Sequence, residues 1–374
     1  MPSPAVLATT TRKFLKGYWE NYAEHNPVMS ILMSKGNVNK NCEGTSLDWR
    51  VKAGRYDPLV VADYQNVEAA GLYSRKNHYL NVNIPWGEFA VGDSAGKGEF
   101  AQQGPKTAMV KLARERVPHM AEDLMDDGLG EKFFNQSNTG AGDYIGLEAL
   151  FATYTPGTDQ TNKVSGATLA AGGTYAGQGM DLGGVSVDGV ANDAFTPTYV
   201  NSGATWDTST GFTKANALTI LSRGFNELCY GTKGSERPDC AILSKVAFQT
   251  VKDALRENER VLITGKADST TGQGRNWEHI YVDGYDVLWD AHVTATDTSG
   301  YILNFNHIHL DQLQVPGPIS ADKNPGGRNG IDASMFDVEF DYSSTLRALL
   351  MSATSRGQYR FNPRYQGKIG DFTS

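Results

Sequence analysis

A chain of 374 residues exceeds the size at which one hydrophobic core tends to divide, so two or more compact units, or one large irregular domain, are expected. A formal charge of −8 lacks the positive surface that general coating of nucleic acid requires, and 41 glycines, 17 tyrosines and 15 phenylalanines favour β-rich, loop-rich structure over a helical bundle. Cys42, Cys229 and Cys240 form an odd set without C-x-x-C or zinc-ribbon spacing and read as reduced thiols. No apolar run approaches the ~20 residues of a membrane span, so synthesis and assembly in a cytoplasm are expected.

Residues 1 to about 43 carry a short amphipathic piece (Phe14, Leu15, Tyr18, Trp19, Tyr22) followed by Val28, Met29 and Ile31, and read as an arm that docks rather than a domain. From Thr45 the chain is strand-like and aromatic, with Trp49, Val51, Tyr56, Val60, Val61 and Tyr64 preceding a second extended run, Tyr79 to Trp86. In that run Leu80, Val82 and Ile84 fall on one face and Asn81 and Asn83 on the other, the period of a half-buried strand. A two-stranded ribbon is marginal in water, so this one is expected to finish its packing on another copy of the chain. Trp49, Tyr56, Tyr79, Leu80, Val82, Ile84 and Trp86 are the candidate contacts.

Gly104-Pro105 places proline at a first helical position, and Met109, Leu112, Val117, Met120 and Leu124 recur at roughly helical spacing. Pro118 interrupts the pattern, either dividing two helices or bending one. Asp127-Gly128-Leu129-Gly130 reads as the helix end. Gly146 to Phe151 forms a small module, and the glycine-, threonine- and alanine-rich tract beyond it reads as loops and short strands.

Thr213 is a plausible cap for a helix carrying Leu218, Leu221, Phe225 and Leu228. Ala241-Ile242-Leu243 is a strand ending at Ser244, which caps a second helix with Val246, Val251, Ala254 and Leu255. Asp283-Gly284 signals a hairpin between Ile280-Tyr281-Val282 and the run from Tyr285 to Trp289; Ser299-Gly300 reads as another turn, leading into Tyr301 to Asn304. Val315 to Gly330 is a loop, Phe336 to Phe340 a strand, and Leu346 to Met351 with Tyr359 and Phe361 closes the chain.

Chemical motifs are sparse. His307, His309 and Asp311 would share a strand face and could form a three-point metal site, although histidines on strands are more often surface or pairing residues. Glu278-His279 and Asp290-Ala291-His292 could be acid/base pairs or ordinary polar turns. There is no P-loop, G-x-S-x-G, H-E-x-x-H or nucleotide-binding G-x-G-x-x-G, so no catalytic, cofactor-binding or metal residue is assigned.

Several segments in fixed order carry a resemblance. NHYLNVNIPWGEFAVGDS before the helix at Pro105, GLEALFATYTPG before a glycine-rich tract with TYAGQG, GATW, PDCAILSKVAFQTVKDAL, GYDVLWDAHV and GYILNFNHIHL together resemble the major capsid protein of tailed bacteriophages, the Hong Kong 97 fold family, over roughly residues 40 to 374. The resemblance implies an α+β capsid fold: an N-terminal arm (1–43), an extended β-hairpin loop (44–100), a peripheral domain with a long spine helix (101–135), an axial domain (136–330) and a return to the peripheral domain (331–374). It further implies a non-enzymatic subunit without cofactors. Such subunits form pentamers and hexamers in an icosahedral shell around double-stranded DNA, with no sequence-specific binding and no membrane, in the virion after assembly in host cytoplasm. Scaffolding, portal and decoration proteins are the implied partners, and some members cross-link loop lysines, for which Lys52, Lys76 and Lys97 are available here. The resemblance also makes Pro118 the candidate hinge of the spine helix, and implies that Trp86→Ala, or deletion of residues 71 to 98, should leave soluble subunits but impair shell assembly. The readings from other classes are a β-rich carbohydrate-active hydrolase, which needs two carboxylates about 5–10 Å apart in a cleft, and a phage decoration or tail protein.

Overall fold

The computed structural model describes residues 26–52, 79–96, 115–116, 119–120, 122–135, 144–150, 161–163, 166–168, 181–182, 185–186, 198–201, 212–229, 234–257, 280–293, 298–313, 331–333, 336–343 and 348–370. Tyr56, the helix start at Pro105, Pro118, the pair Glu278-His279, Lys76, Lys97 and the loop from Val315 to Gly330 lie outside the described residues.

Helix α1 (Pro27–Ser34) opens this part of the chain because proline needs no amide partner in the first turn and the Asn26 side chain accepts from the Met29 amide at 3.2 Å. Val28, Met29, Ile31 and Leu32 are buried. Strands β1 (Val38–Cys42), β2 (Ser46–Lys52), β3 (Tyr79–Pro85) and β4 (Gly87–Gly96) follow.

The helix expected to stop at Asp127 to Gly130 does not stop there. Residues 122–135 stay helical throughout, Leu124–Gly130 widening into a π turn before helix α2 (Glu131–Asn135). Gly128 serves approach rather than termination: a Cβ there would overlap the Phe89 ring, which reaches across from β4.

Short strands β5 (Thr161–Lys163), β6 (Gly166–Thr168), β7 (Asp181–Leu182), β8 (Val185–Ser186) and β9 (Thr198–Asn201) precede helix α3 (Ala217–Glu227), strand β10 (Cys240–Leu243) and helix α4 (Lys245–Glu257). The Thr213 cap is displaced: Thr213 forms a preliminary turn, its amide donating to the Asn216 side chain at 2.7 Å, and α3 begins beyond Asn216. The Ser244 cap is present, its hydroxyl accepting from the Ala247 amide at 3.3 Å. Val246, expected on the apolar face of α4, is instead 66 % exposed; Ala247, Phe248, Val251 and Leu255 face the core. The chain continues through β11 (Ile280–Val282), β12 (Tyr285–Trp289), β13 (Thr298–Leu303), β14 (Ile308–Leu313), β15 (Ile331–Ala333), β16 (Phe336–Ser343), β17 (Ala348–Phe361) and β18 (Gly367–Gly370). Asp283 and Gly284 both have positive φ, 52° and 86°, as a two-residue hairpin between β11 and β12 requires. Ser299-Gly300 is no turn but part of β13, where Gly300 lets the strand press against the Ile242 carbonyl of β10.

Two large sheets organise most of these strands, and β2–β3 and β7–β8 form separate two-stranded pairs. Six of them form one sheet in the order β1-β14-β17-β16-β15, with β4 on the other side of β17; eight form the second in the order β11-β12-β10-β13-β18-β9-β6-β5. The second is covered by α3 and α4: Leu221 and Phe225 of α3, Leu228 just beyond it and Val251 of α4 pack with Val287 and Ile302 in one cluster. Burial of each such side chain stabilises by about 1.5–3 kcal/mol. Strand β14 belongs to the six-stranded sheet, and β18 returns to the eight-stranded one.

Candidate assembly surface

The ribbon expected from the period-2 pattern is present, with β2 and β3 pairing antiparallel from Ser46↔Pro85 to Lys52↔Tyr79. Its root is built on the six-stranded sheet. Only Trp86 separates β3 from β4, and β4 pairs with β17 from Gly87↔Gly357 to Gly96↔Ala348, so the outgoing ribbon extends a strand of the sheet itself. Gln358, fully buried, fixes this junction: its amide nitrogen donates to the Pro85 carbonyl at 3.0 Å, while its side-chain oxygen accepts from the Ile145 amide at 2.7 Å. The amide can satisfy both only in one position, which sets where the ribbon leaves the sheet.

Beneath lies an aromatic layer. Phe133 meets Tyr359 edge-on at 5.2 Å between centroids and Phe361 at 5.8 Å, and Phe89 meets Tyr144 at 4.9 Å. Tyr359 donates to the Leu129 carbonyl at 2.9 Å, tying β17 to the π turn, and Tyr144 shares a hydrogen bond with Ser355 at 3.0 Å. Burial pushes both phenols upward, keeping them as neutral hydrogen-bond groups. Along β4 the Arg116 guanidinium bonds Asp93 at 2.9 Å and the Ser94 carbonyl at 3.0 Å, and Arg356 pairs with Glu88 at 2.9 Å. Charge placed along an edge strand discourages indiscriminate pairing with other chains.

The candidate contact residues divide into groups. Val82 and Ile84 are buried within the subunit, 0 % and 1 % exposed, which removes them from any outer surface; the same alternation that suggested a sticky face is used internally. Trp49 and Trp86 are half-buried and keep part of their rings exposed, and Trp86 also donates to the Gly44 carbonyl at 3.0 Å. Asn81 and Asn83 are exposed, and Asn83 bonds Ser46 at 2.8 Å as well as Asp48 across the ribbon. Tyr79 and Leu80 belong to β3 by backbone register with Lys52 and Val51, but their side chains lie outside the described residues. Sequence reasoning missed Gln358 and Ser355 because a polar residue inside a long strand carries no signal of the distant group it meets.

The suspected metal trio is dispersed. His307 ends a 3-10 turn rather than sharing the β14 face; it stacks on Tyr365 at 3.8 Å, and its Nε2 lies 3.0 Å from the Ser235 carbonyl. Asp311 is occupied by Arg360 at 2.8 Å and by Asn39, joining β1, β14 and β17. No group of three or more His, Cys, Asp or Glu among the described residues is placed to hold a metal ion, and no helix among them is long and apolar enough to cross a membrane.

No protein-family model matches the sequence, and the comparison with curated proteins yields no match. Solved structures do match. The cyanophage A-1(L) capsid subunit is 15% identical, with 93% of each chain covered and a TM-score of 0.56. The capsid of the native GTA particle is 13% identical, covering 91% of this chain and 90% of that one, with a TM-score of 0.52, and the capsid of the empty GTA particle has the same identity and coverage with a TM-score of 0.50. Over about nine-tenths of its length the chain is similar to these capsid subunits and has their α+β, Hong Kong 97-like fold.

Proposed function

We propose that this chain is a major capsid protein: a non-enzymatic subunit that self-assembles, as pentamers and hexamers, into an icosahedral shell enclosing phage double-stranded DNA. The observation that carries the reading is the near-complete coverage of both chains in the likeness to capsid subunits, about nine-tenths of each. The architecture supports it physically. A two-stranded ribbon rooted in a packed sheet projects a marginal element outward, and a neighbouring copy can complete its packing through Trp49 and Trp86. Head-to-tail contacts that close into rings and shells let modest interfaces add up to a stable container. A net charge of −8 suits a container that encloses DNA without gripping it. Scaffolding, portal and decoration proteins are the partners this reading entails, with residence in the virion after assembly in the host cytoplasm.

Negative-stain electron microscopy of the purified recombinant protein, with size-exclusion chromatography alongside, tests the proposal. Shells, or rings of five and six subunits, are the expected result; a monodisperse monomer at every salt and protein concentration, with or without co-expressed scaffold, would overturn it.

A further inference from the structure

We infer that His292 is a proton-operated clasp that fastens the end of strand β12 to the π turn at Asp126. The imidazole stands between two carboxylates contributed by different parts of the fold. On one side its Nδ1 lies 2.9 Å from Asp290 Oδ1, within its own turn; on the other its Nε2 lies 3.6 Å from Asp126 Oδ1 on the π turn.

The two sides are unequal. Asp290 is 4 % exposed and held in place, its amide donating to the Leu243 carbonyl at 3.1 Å and its Oδ1 accepting also from the His292 amide at 2.9 Å, while its Oδ2 is buried without a hydrogen-bond partner among the described residues. This fixed acceptor selects the tautomer with hydrogen on Nδ1. A neutral ring of that tautomer turns the lone pair of Nε2 towards the Asp126 carboxylate, which repels it. Protonation puts a hydrogen on Nε2 and converts the repulsion into a charge-assisted contact. Asp126 is 65 % exposed, so water can take over from the ring when the proton leaves.

Among the described residues, the charged groups that act on the imidazole are Asp290 on its own turn, and Asp126 and Glu131 on the helix. The hydrogen bond to Asp290 is the largest influence and raises the His292 pKa above 6.5; burial opposes it, and the charges of all three acids add to the rise. For a group raised on folding, the stabilisation is complete below the unfolded value and is lost as pH climbs through the folded one. The clasp is therefore closed in mild acid and opens in the range above pH 6.5. The π turn that it holds also touches Phe89 of β4 and accepts the Tyr359 hydroxyl, so the clasp acts at the root of the ribbon.

The device lies within one subunit, and its test does not depend on the shell reading. Hydrogen-exchange mass spectrometry of the full chain, between about pH 5.5 and pH 9 and corrected for intrinsic exchange, would follow residues 122–135 with α4 (Lys245–Glu257) as internal reference. Wild-type protection of 122–135 should fall roughly three- to fivefold relative to α4 as pH rises, the scale of one partly exposed ion pair. Asp126→Asn should abolish that pH dependence while leaving α4 unchanged, and His292→Gln should do the same. A flat wild-type profile, or an Asp126→Asn profile that keeps the wild-type slope, would overturn the clasp. Because Asp126 is mostly exposed, its variant decides the question even if His292→Gln folds poorly.

Discussion

At Gly300 a Cβ would come within 2.5 Å of the Ile242 carbonyl oxygen and 2.8 Å of Leu243 Cα, backbone that the register of β10 and β13 holds in place. At Gly128 the obstacle is a half-exposed ring, Phe89, which can rotate or shift. The two glycines should therefore respond differently to alanine. Gly300→Ala must move one strand of the eight-stranded sheet and should destabilise by about 2–3 kcal/mol, in the range of overpacked sites. For Gly128→Ala the displaced ring is offset by about 1 kcal/mol of improved helix propensity, so the net change should stay under about 1 kcal/mol. Urea denaturation of both variants checks the order; equal losses would mean that Phe89 is as rigid as backbone. These sites also explain two misread boundaries. A glycine in sequence signals either a turn or a close approach, and only the neighbour decides which: Gly284 has the positive φ of a turn, whereas Gly128 and Gly300 lie inside regular elements.

Among the elements, the β2–β3 ribbon and β4 have different duties despite being almost continuous. Residues 87–96 belong to the six-stranded sheet, and Val82 and Ile84 are core, so deletion of 71–98 would remove part of the subunit's own packing rather than an appendage. The expectation of soluble subunits from that deletion is therefore revised. A cleaner cut removes 53–78 and joins Lys52 to Tyr79 through Asn-Gly, since these residues are cross-strand partners and a two-residue turn can close the ribbon there. This variant should unfold within a few degrees of wild type by calorimetry while forming few or no shells; normal particles would show that residues 53–78 take no part in assembly. The ribbon strand β3, the β11–β12 hairpin and the helices α3 and α4 were legible because each is encoded by a short periodic pattern, although only α4 takes the cap expected for it. Val246 was misassigned because it neighbours the apolar stripe of α4 in sequence but not around the helix. The split of the candidate contacts was not legible, since periodicity identifies an apolar face without saying whether its own chain or another covers it.

Across the whole molecule the chain changes sheet twice in the same place. Strand β13 of the eight-stranded sheet passes through the turn Phe305–His307 into β14 of the six-stranded one, and β17 passes through Pro363–Tyr365 back to β18. The two crossings are bolted together: His307 stacks on Tyr365 with an interplanar angle of 7°, the Asn362 amide donates to the His307 carbonyl at 3.1 Å, and the Gln366 side chain bonds both the amide and the carbonyl of Asn304. Such a bolt joins positions about sixty residues apart, beyond the reach of any periodic reading. Burial lowers the pKa of His307 below 6.5, with the Ser235 carbonyl and nearby acids opposing, and burial lowers that of His309 as well. For a group lowered on folding the neutral form is the stabilised one, so its contribution is present above the unfolded pKa and disappears as pH falls through the folded value. The crossings should thus weaken below pH 6.5, on the opposite side from the loss at His292. His307→Phe keeps a flat ring on Tyr365 and removes the titration, at a cost of about 1 kcal/mol for the lost hydrogen bond. Its melting temperature should start below wild type near pH 8 but fall less between pH 7 and pH 5, because carboxylate contributions common to both proteins cancel in the comparison. Parallel acid limbs for the two proteins would place the acid sensitivity away from the crossings.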